Sequence, residues 1–92
     1  MELIFKAKFL REARAMGNKH LAEQLRKIFV QIEKAESPTQ IGGLVKLRDY
    51  AHYYRIRIKV SDVRDYRLVL SIRKNTVWVE RIGLAHRIFY KR

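Results

Sequence analysis

The sequence predicts an α+β fold: an N-terminal strand and a two-helix hairpin packed on one face of a mainly antiparallel four-stranded sheet, followed by a short C-terminal turn or helix. Two patterns lead to this prediction. In the first third of the chain apolar residues recur every three or four positions, and from residue 53 onward they alternate with polar residues. Because 92 residues bury one modest core but not two, we expect a single domain over residues 1–92.

The first three elements follow from apolar spacing and from two breaks. The run from Leu3 to Phe5 is suited to a short strand. Residues 7–16 take a helical rhythm, and a clearer helix runs from His20 to a stop near Ser37-Pro38, because the residue before proline is pushed out of helical geometry. Gly17-Asn18 separates the two helices. The apolar faces consist of Phe9, Ala13 and Met16 on the first helix and Leu21, Leu25, Ile28, Phe29 and Ile32 on the second.

The second half of the chain is predicted to be sheet. Residues 39–47 contain Gly42-Gly43 and little periodicity, so we expect a loop there. Three runs rich in branched and aromatic residues follow, and their short connections make neighbouring strands antiparallel. The third run breaks its alternation at Arg81-Ile82, which predicts a bulge or a strand end near Gly83. The three runs are Tyr53–Val60, Tyr66–Arg73 and Thr76–Ile82.

Alternation places the cations of this sheet on one face. In the first run Arg55, Arg57 and Lys59 point to the side opposite the apolar residues, and in the second run Arg67 and Arg73 do the same. Side chains two apart on a strand are about 6.6 Å from each other, so such a row of like charges repels itself unless an anion lies across it. This pattern predicts a phosphate-bearing partner.

Composition narrows the class of protein. The chain carries 21 Lys and Arg against nine Asp and Glu, a net charge of +12, and residues 46–92 hold thirteen of the bases and four of the acids. Such a charge indicates nucleic acid, an anionic membrane surface or an acidic protein as partner. A hydrophobic content of 48% excludes a disordered basic tail.

Several kinds of site and location are not expected. The absence of cysteine excludes a disulfide framework and a thiolate zinc site, and the three histidines lack metal-binding spacing, so we expect no metal and no cofactor. The sequence contains no run of about 18 apolar residues, so we expect no membrane span. The N-terminal residues do not have the pattern of a secretory signal. We expect a cytoplasmic protein.

Three segments together resemble a known family. They are Tyr54-Arg55-Ile56-Arg57-Ile58, then Asp65-Tyr66-Arg67-Leu68-Val69-Leu70, then Val79-Glu80-Arg81-Ile82-Gly83 with His86-Arg87-Ile88-Phe89-Tyr90. Over essentially the whole chain this is similar to the RelE family of toxins, whose superfamily also holds ParE. The resemblance implies a toxin of a type II toxin-antitoxin system that cleaves messenger RNA in the ribosomal decoding site without a metal and is neutralised by a cognate antitoxin.

The resemblance also implies roles for particular residues. Arg55 and Arg57 fall where the family often carries lysine or arginine, and Arg67 falls on its strand arginine. His86 and Tyr90 fall in the tail segment where members carry His, Arg or Tyr, although this sequence has one residue more than the commoner Gly-x-His arrangement. We therefore expect these five residues to be catalytic.

The chemistry of RNA cleavage divides the roles. Arginine is effectively never a general base, but its planar fork suits phosphate oxygens, so the three arginines are expected to stabilise charge. The histidine is the proton-transfer candidate, and the tyrosine would stack on a base or donate its hydroxyl. Additional RNA contacts are expected from Lys59, Arg73, Arg81 and Arg87.

Two other functions stay open from the sequence. One is a ParE-like toxin that inhibits DNA gyrase without catalysis, and the other is a small basic RNA-binding or ribosome-associated protein. The alternative interpretation of Arg55, Arg57 and Lys59 is the solvated face of a half-buried sheet, and we expect Trp78 to serve packing or partner binding rather than base stacking. An antitoxin segment is expected either to cross the basic face or to pack on the helices.

Overall fold

The computed structural model describes residues 1–85, and over this range the predicted α+β architecture is confirmed. Two helices pack on one face of a sheet with strand order β1-β5-β4-β3-β2, in which β1 runs parallel to β5 and all other neighbours are antiparallel. A single turn of 3₁₀ helix, Pro38–Gln40, lies between the helices and the later strands. The elements are β1 (Glu2–Phe5), α1 (Ala7–Met16), α2 (Lys19–Lys34), β2 (Leu44–Lys46), β3 (Tyr53–Ser61), β4 (Arg64–Arg73) and β5 (Thr76–Leu84).

The break between the helices was predicted correctly, and local chemistry explains it. Gly17 ends α1 in the left-handed conformation, with a φ of 55°, which glycine adopts without the steric cost of a Cβ. Asn18 then begins α2, because its side-chain oxygen accepts a hydrogen bond from the Leu21 amide at 3.0 Å. The chain leaves α2 at Lys34, slightly before the predicted stop, because Ala35 is already extended.

The core lies between the helices and the sheet face that turns toward them. Phe9, Leu21, Leu25 and Ile32 supply the helix side, as the helical spacing predicted. The sheet side comes from alternate residues of the three long strands, and Leu68 and Leu70 are fully buried at its centre. The buried strand residues are Ile56, Ile58, Tyr66, Leu68, Leu70, Ile72, Val77, Val79 and Ile82. This burial confirms the apolar parity of all three predicted strands.

Two details of the predicted sheet were wrong. Within the described residues the sheet has five strands rather than four, because Leu44–Lys46, expected in a loop, pairs with β3 at the sheet edge. Three residues are too few to show an alternation, so no sequence signal marked this strand. The connection between β3 and β4 is shorter than predicted, since β4 begins at Arg64.

The irregularity predicted for the third run is confirmed in β5. The strand ends at Leu84, directly after Gly83. Its irregularity lies earlier, where Val69 pairs with Arg81 but the next residue, Leu70, pairs with Val79. Glu80 is therefore the extra residue of a β-bulge. The predicted C-terminal turn or helix falls outside the described residues. No helix within residues 1–85 has the length and apolar character needed to cross a membrane.

Candidate nucleic-acid interface

The sheet face opposite the helices, here called the outer face, carries the predicted cations. On β3 and β4 the residues that alternate with the buried core residues point to this side. They are Tyr53, Arg55, Arg57 and Lys59 on β3 and Asp65, Arg67, Val69, Ser71 and Arg73 on β4. Two adjacent strands therefore present one charged surface, as the alternation predicted.

Strand register brings three arginines together on this face. Arg57 lies directly opposite Arg67, and Arg55 lies opposite Val69, one step diagonal from Arg67. Directly opposed residues in an antiparallel pair have Cβ atoms only about 5 Å apart. On the other side of Arg67 the register partner is Gly83, which has no side chain to fill the space beside the guanidinium group. The arrangement is a cluster of positive charge with an open flank.

The three arginines differ in their partners. Arg57 donates from Nε to Asp65 Oδ2 at 3.0 Å and forms an ion pair with the same oxygen through Nη2, yet 64% of its side chain stays exposed. Within residues 1–85, the side chain of Arg55 makes no hydrogen bond and no ion pair. The Nε of Arg67 is buried and has no hydrogen-bond partner. A buried donor left unpaired costs about 1–3 kcal/mol. The guanidinium group of Arg67 therefore keeps hydrogen-bonding capacity that no described residue uses.

The predicted RNA-binding residues of this part of the chain do not all join the cluster. Lys59 lies two residue pairs beyond Arg57, opposite Asp65. Arg73 lies on the same face but six residues along β4 from Arg67, about 20 Å away. Arg81 is held elsewhere, because its Nη2 pairs with Glu12 of α1 at 2.7 Å. The remaining predicted site residues, His86, Arg87 and Tyr90, fall outside the described residues.

The far end of the outer face contains a group that the sequence did not single out as a unit. Tyr53, Ser71 and Trp78 lie side by side in register, and the Ser71 hydroxyl donates to Glu80 Oε2 at 2.7 Å. The Nζ of Lys6 lies 5.2 Å from the centre of the Trp78 ring. These side chains line a cavity of about 340 Å³. The available sequence signal was an acidic residue, Glu80, next to an aromatic one in a run that otherwise carries cations.

The histidines of the described part of the chain lie outside both groups. His52 precedes β3 with a φ of 67°, and its carbonyl accepts a hydrogen bond from the Ile72 amide at 2.8 Å. His20 is exposed in the first turn of α2. Among residues 1–85 no three His, Asp or Glu side chains come together in a way that could hold a metal ion.

Comparison with known proteins identifies the fold. No family model matches the sequence, and no curated protein matches it. The structure superposes on a chain of the RelB-RelE antitoxin-toxin complex from Methanococcus jannaschii with a TM-score of 0.74, at 18% identity over 90% of this chain and 91% of that one. It also matches the conserved hypothetical protein HP0894 of Helicobacter pylori with a TM-score of 0.57, at 17% identity over 97% and 99% of the two chains. The chain therefore has a RelE-like fold.

Proposed function

We propose that this protein is the toxin of a type II toxin-antitoxin system and that it cleaves messenger RNA on the ribosome as a metal-independent endoribonuclease. The proposal is supported by the RelE-like fold and by the clustered arginines of the outer face. The observation that carries it is Arg67, whose buried Nε has no partner within the described residues and whose neighbour in β5 is a glycine.

A phosphate group is a suitable ligand for this cluster of arginines. A guanidinium fork donates two parallel hydrogen bonds to phosphate oxygens, and charge-assisted bonds of this kind are about twice as strong as neutral ones. A phosphate beside Gly83 would lie next to the guanidinium group of Arg67 and meet Arg55, whose side chain has no anionic partner within residues 1–85. Arg57 adds a third positive charge, part of which Asp65 neutralises. Mutual repulsion among the arginines falls when the phosphate binds.

The same groups suit the transition state of RNA cleavage. The 2′-oxygen of a ribose forms a bond to the adjacent phosphorus while the bond from phosphorus to the 5′-oxygen breaks, which leaves a 2′,3′-cyclic phosphate. Negative charge accumulates on the non-bridging oxygens, and Arg55, Arg57 and Arg67 are proposed to stabilise it. One proton must leave the 2′-hydroxyl and one must reach the 5′-oxygen. His86 is the proposed proton-transfer residue, with Tyr90 as a stacking or hydroxyl-donating residue, and such transfer typically contributes about 10²–10⁴-fold in rate.

The proposed partners follow from the charge of the protein. A net charge of +12 favours association with ribosomal RNA and message in the cytoplasm and also with an acidic antitoxin. An antitoxin that covers the outer face would occupy the arginines directly, and one that packs on the helices would leave them open. Both arrangements would offset the positive charge of the toxin.

The decisive experiment is cleavage mapping in a translating extract. The purified protein is expected to produce cuts within codons and to arrest protein synthesis, and Arg67→Ala is expected to lose most of this activity. Arg14→Ala, which removes the same charge from an exposed position on α1, is the matched control and is expected to cleave normally. Full activity of Arg67→Ala would contradict the proposed site. Inhibition of DNA gyrase with intact messages would favour the ParE-like alternative instead.

A further inference from the structure

We infer that the outer face contains a second subsite that binds a single unpaired nucleobase, with guanine preferred. This base subsite consists of Tyr53, Ser71, Trp78 and Glu80, with Lys6, Arg73 and Lys74 at its rim. It rests on the proposed action on RNA, but none of its residues belongs to the arginine cluster. It lies four residues along β4 from Arg67, about 13 Å, and so contacts a different nucleotide.

The backbone register builds a trough with aromatic walls. Tyr53 and Trp78 both lie directly opposite Ser71, one on each neighbouring strand. With strands about 4.8 Å apart, the two aromatic residues stand about 10 Å from each other across a small serine. The resulting cavity of about 340 Å³ is open to the outer face. Aromatic side chains on a sheet are the usual stacking platforms for unpaired bases.

A hydrogen-bond acceptor lies at the floor of this trough. Ser71 is only 4% exposed, and its hydroxyl donates to Glu80 Oε2 at 2.7 Å, which fixes the carboxylate. An ionised carboxylate has about four lone-pair sites, so one hydrogen bond leaves most of its capacity unused. Within residues 1–85, Glu80 Oε1 has no hydrogen bond, and no ion pair reaches the carboxylate. The floor therefore keeps acceptor capacity for the donors of a ligand.

The arrangement of donors distinguishes the bases. Guanine presents two adjacent donors, N1–H and the 2-amino group, which match the two oxygens of a carboxylate. Adenine and cytosine each offer one amino group beside an acceptor nitrogen, and uracil offers one N–H between two carbonyl oxygens. An acceptor of the base directed at Glu80 would be repelled by its lone pairs. The trough should accordingly rank guanine first and uracil last.

The charges around the trough favour a nucleotide over an acidic peptide. Lys6, Arg73 and Lys74 line the same cavity and are positioned to attract phosphates on either side of a bound base. The carboxylate of Glu80 would repel an acidic side chain that entered the trough. Only a ligand that combines negative flanks, an aromatic face and a donor edge satisfies every group present.

Binding of short single-stranded RNA, measured by fluorescence anisotropy, tests the inference without the ribosome. The probes are an oligouridine and the same oligomer with one central guanosine, adenosine or inosine, the last of which lacks the 2-amino group. We expect the guanosine probe to bind at least about fivefold more tightly than oligouridine, with inosine between them. Glu80→Gln replaces one acceptor by a donor and should abolish this difference. Glu33→Gln, the same change on an exposed residue of α2, should keep it.

The stacking wall is tested separately. Trp78→Leu should weaken binding of every probe by about fivefold or more, and Trp78→Phe should recover most of the affinity. Thermal unfolding of each variant shows that the fold is retained. The inference is overturned if the folded wild type binds all probes equally or if Glu80→Gln keeps the guanosine preference. Cleavage without base preference would refute the base subsite alone, whereas base preference without cleavage would refute only the nuclease.

Discussion

Glu12 joins α1 to β5 at the point where β1 has ended, and its removal should destabilise the sheet beside the arginine cluster. Its Oε2 accepts from Arg81 Nη2 at 2.7 Å and from Nε at 3.2 Å, and its Oε1 accepts from the Ile82 amide at 3.1 Å. Beyond Phe5 no residue of β1 pairs with β5, so the carboxylate takes the place of a strand partner for this amide.

The magnitude can be worked out from these contacts. A hydrogen bond from an amide to a charged acceptor is worth about 1.5–3 kcal/mol when the site is partly buried. The ion pair adds less, about 0.5–1 kcal/mol, because 35% of the Arg81 side chain is exposed and water screens the charges. Glu12→Ala should therefore lower the free energy of unfolding by about 2–4 kcal/mol. Glu12→Gln keeps an acceptor for the amide and should lose about half as much.

Urea denaturation followed by circular dichroism measures this difference. Glu23→Ala removes an exposed carboxylate from α2 and should change the free energy of unfolding by no more than about 0.5 kcal/mol. A Glu12→Ala protein as stable as this control would show that the carboxylate does not support β5. Equal losses for Glu12→Ala and Glu12→Gln would instead assign the whole effect to charge.

Three further substitutions test other parts of the structure. Ile32→Ala empties a fully buried position of α2 and should cost about 2–5 kcal/mol in the same urea experiment, and a loss below about 1 kcal/mol would contradict the packing of α2 on the sheet. Gly17→Ala places a Cβ on a backbone with a φ of 55° and should lower the free energy of unfolding by about 1–2 kcal/mol. The whole cost comes from backbone conformation, since nothing lies within 4 Å of the added atom, and Gly17→Asn should lose less in the same assay. Asp65→Asn removes the ion pair of Arg57 and should strengthen RNA binding. The slope of log affinity against log salt should steepen by up to about 0.7, and an unchanged slope in anisotropy titrations would mean that Arg57 does not reach phosphate.

The parts of the fold that sequence predicted are those set by near neighbours along the chain. A helical stripe depends on residues three and four apart, and an alternating strand depends on residues two apart, so α1, α2 and the three long strands were all predicted. The edge strand β2 escaped detection because Leu44–Lys46 becomes a strand only through its pairing with β3. This pairing is a tertiary contact, and a short stretch of sequence contains no information about it.

The same distinction applies to the candidate site. Alternation was enough to predict that Arg55, Arg57 and Arg67 share a face. It contained no information about which cations have a carboxylate partner, because the partner of Arg81 is 69 positions away in sequence. Lysines and arginines on one predicted face therefore formed a single group in the prediction, whereas long-range ion pairing divides them.

The bulge at Glu80 affects both the fold and the candidate site. Without it, strict alternation from Val79 would turn Ile82 and Leu84 away from the core and place Gly83 among the buried residues. The extra residue restores Ile82 to the core, where it is 1% exposed, and puts Gly83 on the outer face beside Arg67. The same step brings Glu80 over Ser71 and leaves Arg81 able to reach Glu12. A local irregularity thus determines both the open flank of the arginine cluster and the floor of the base subsite, so deletion of Glu80 should damage both at once.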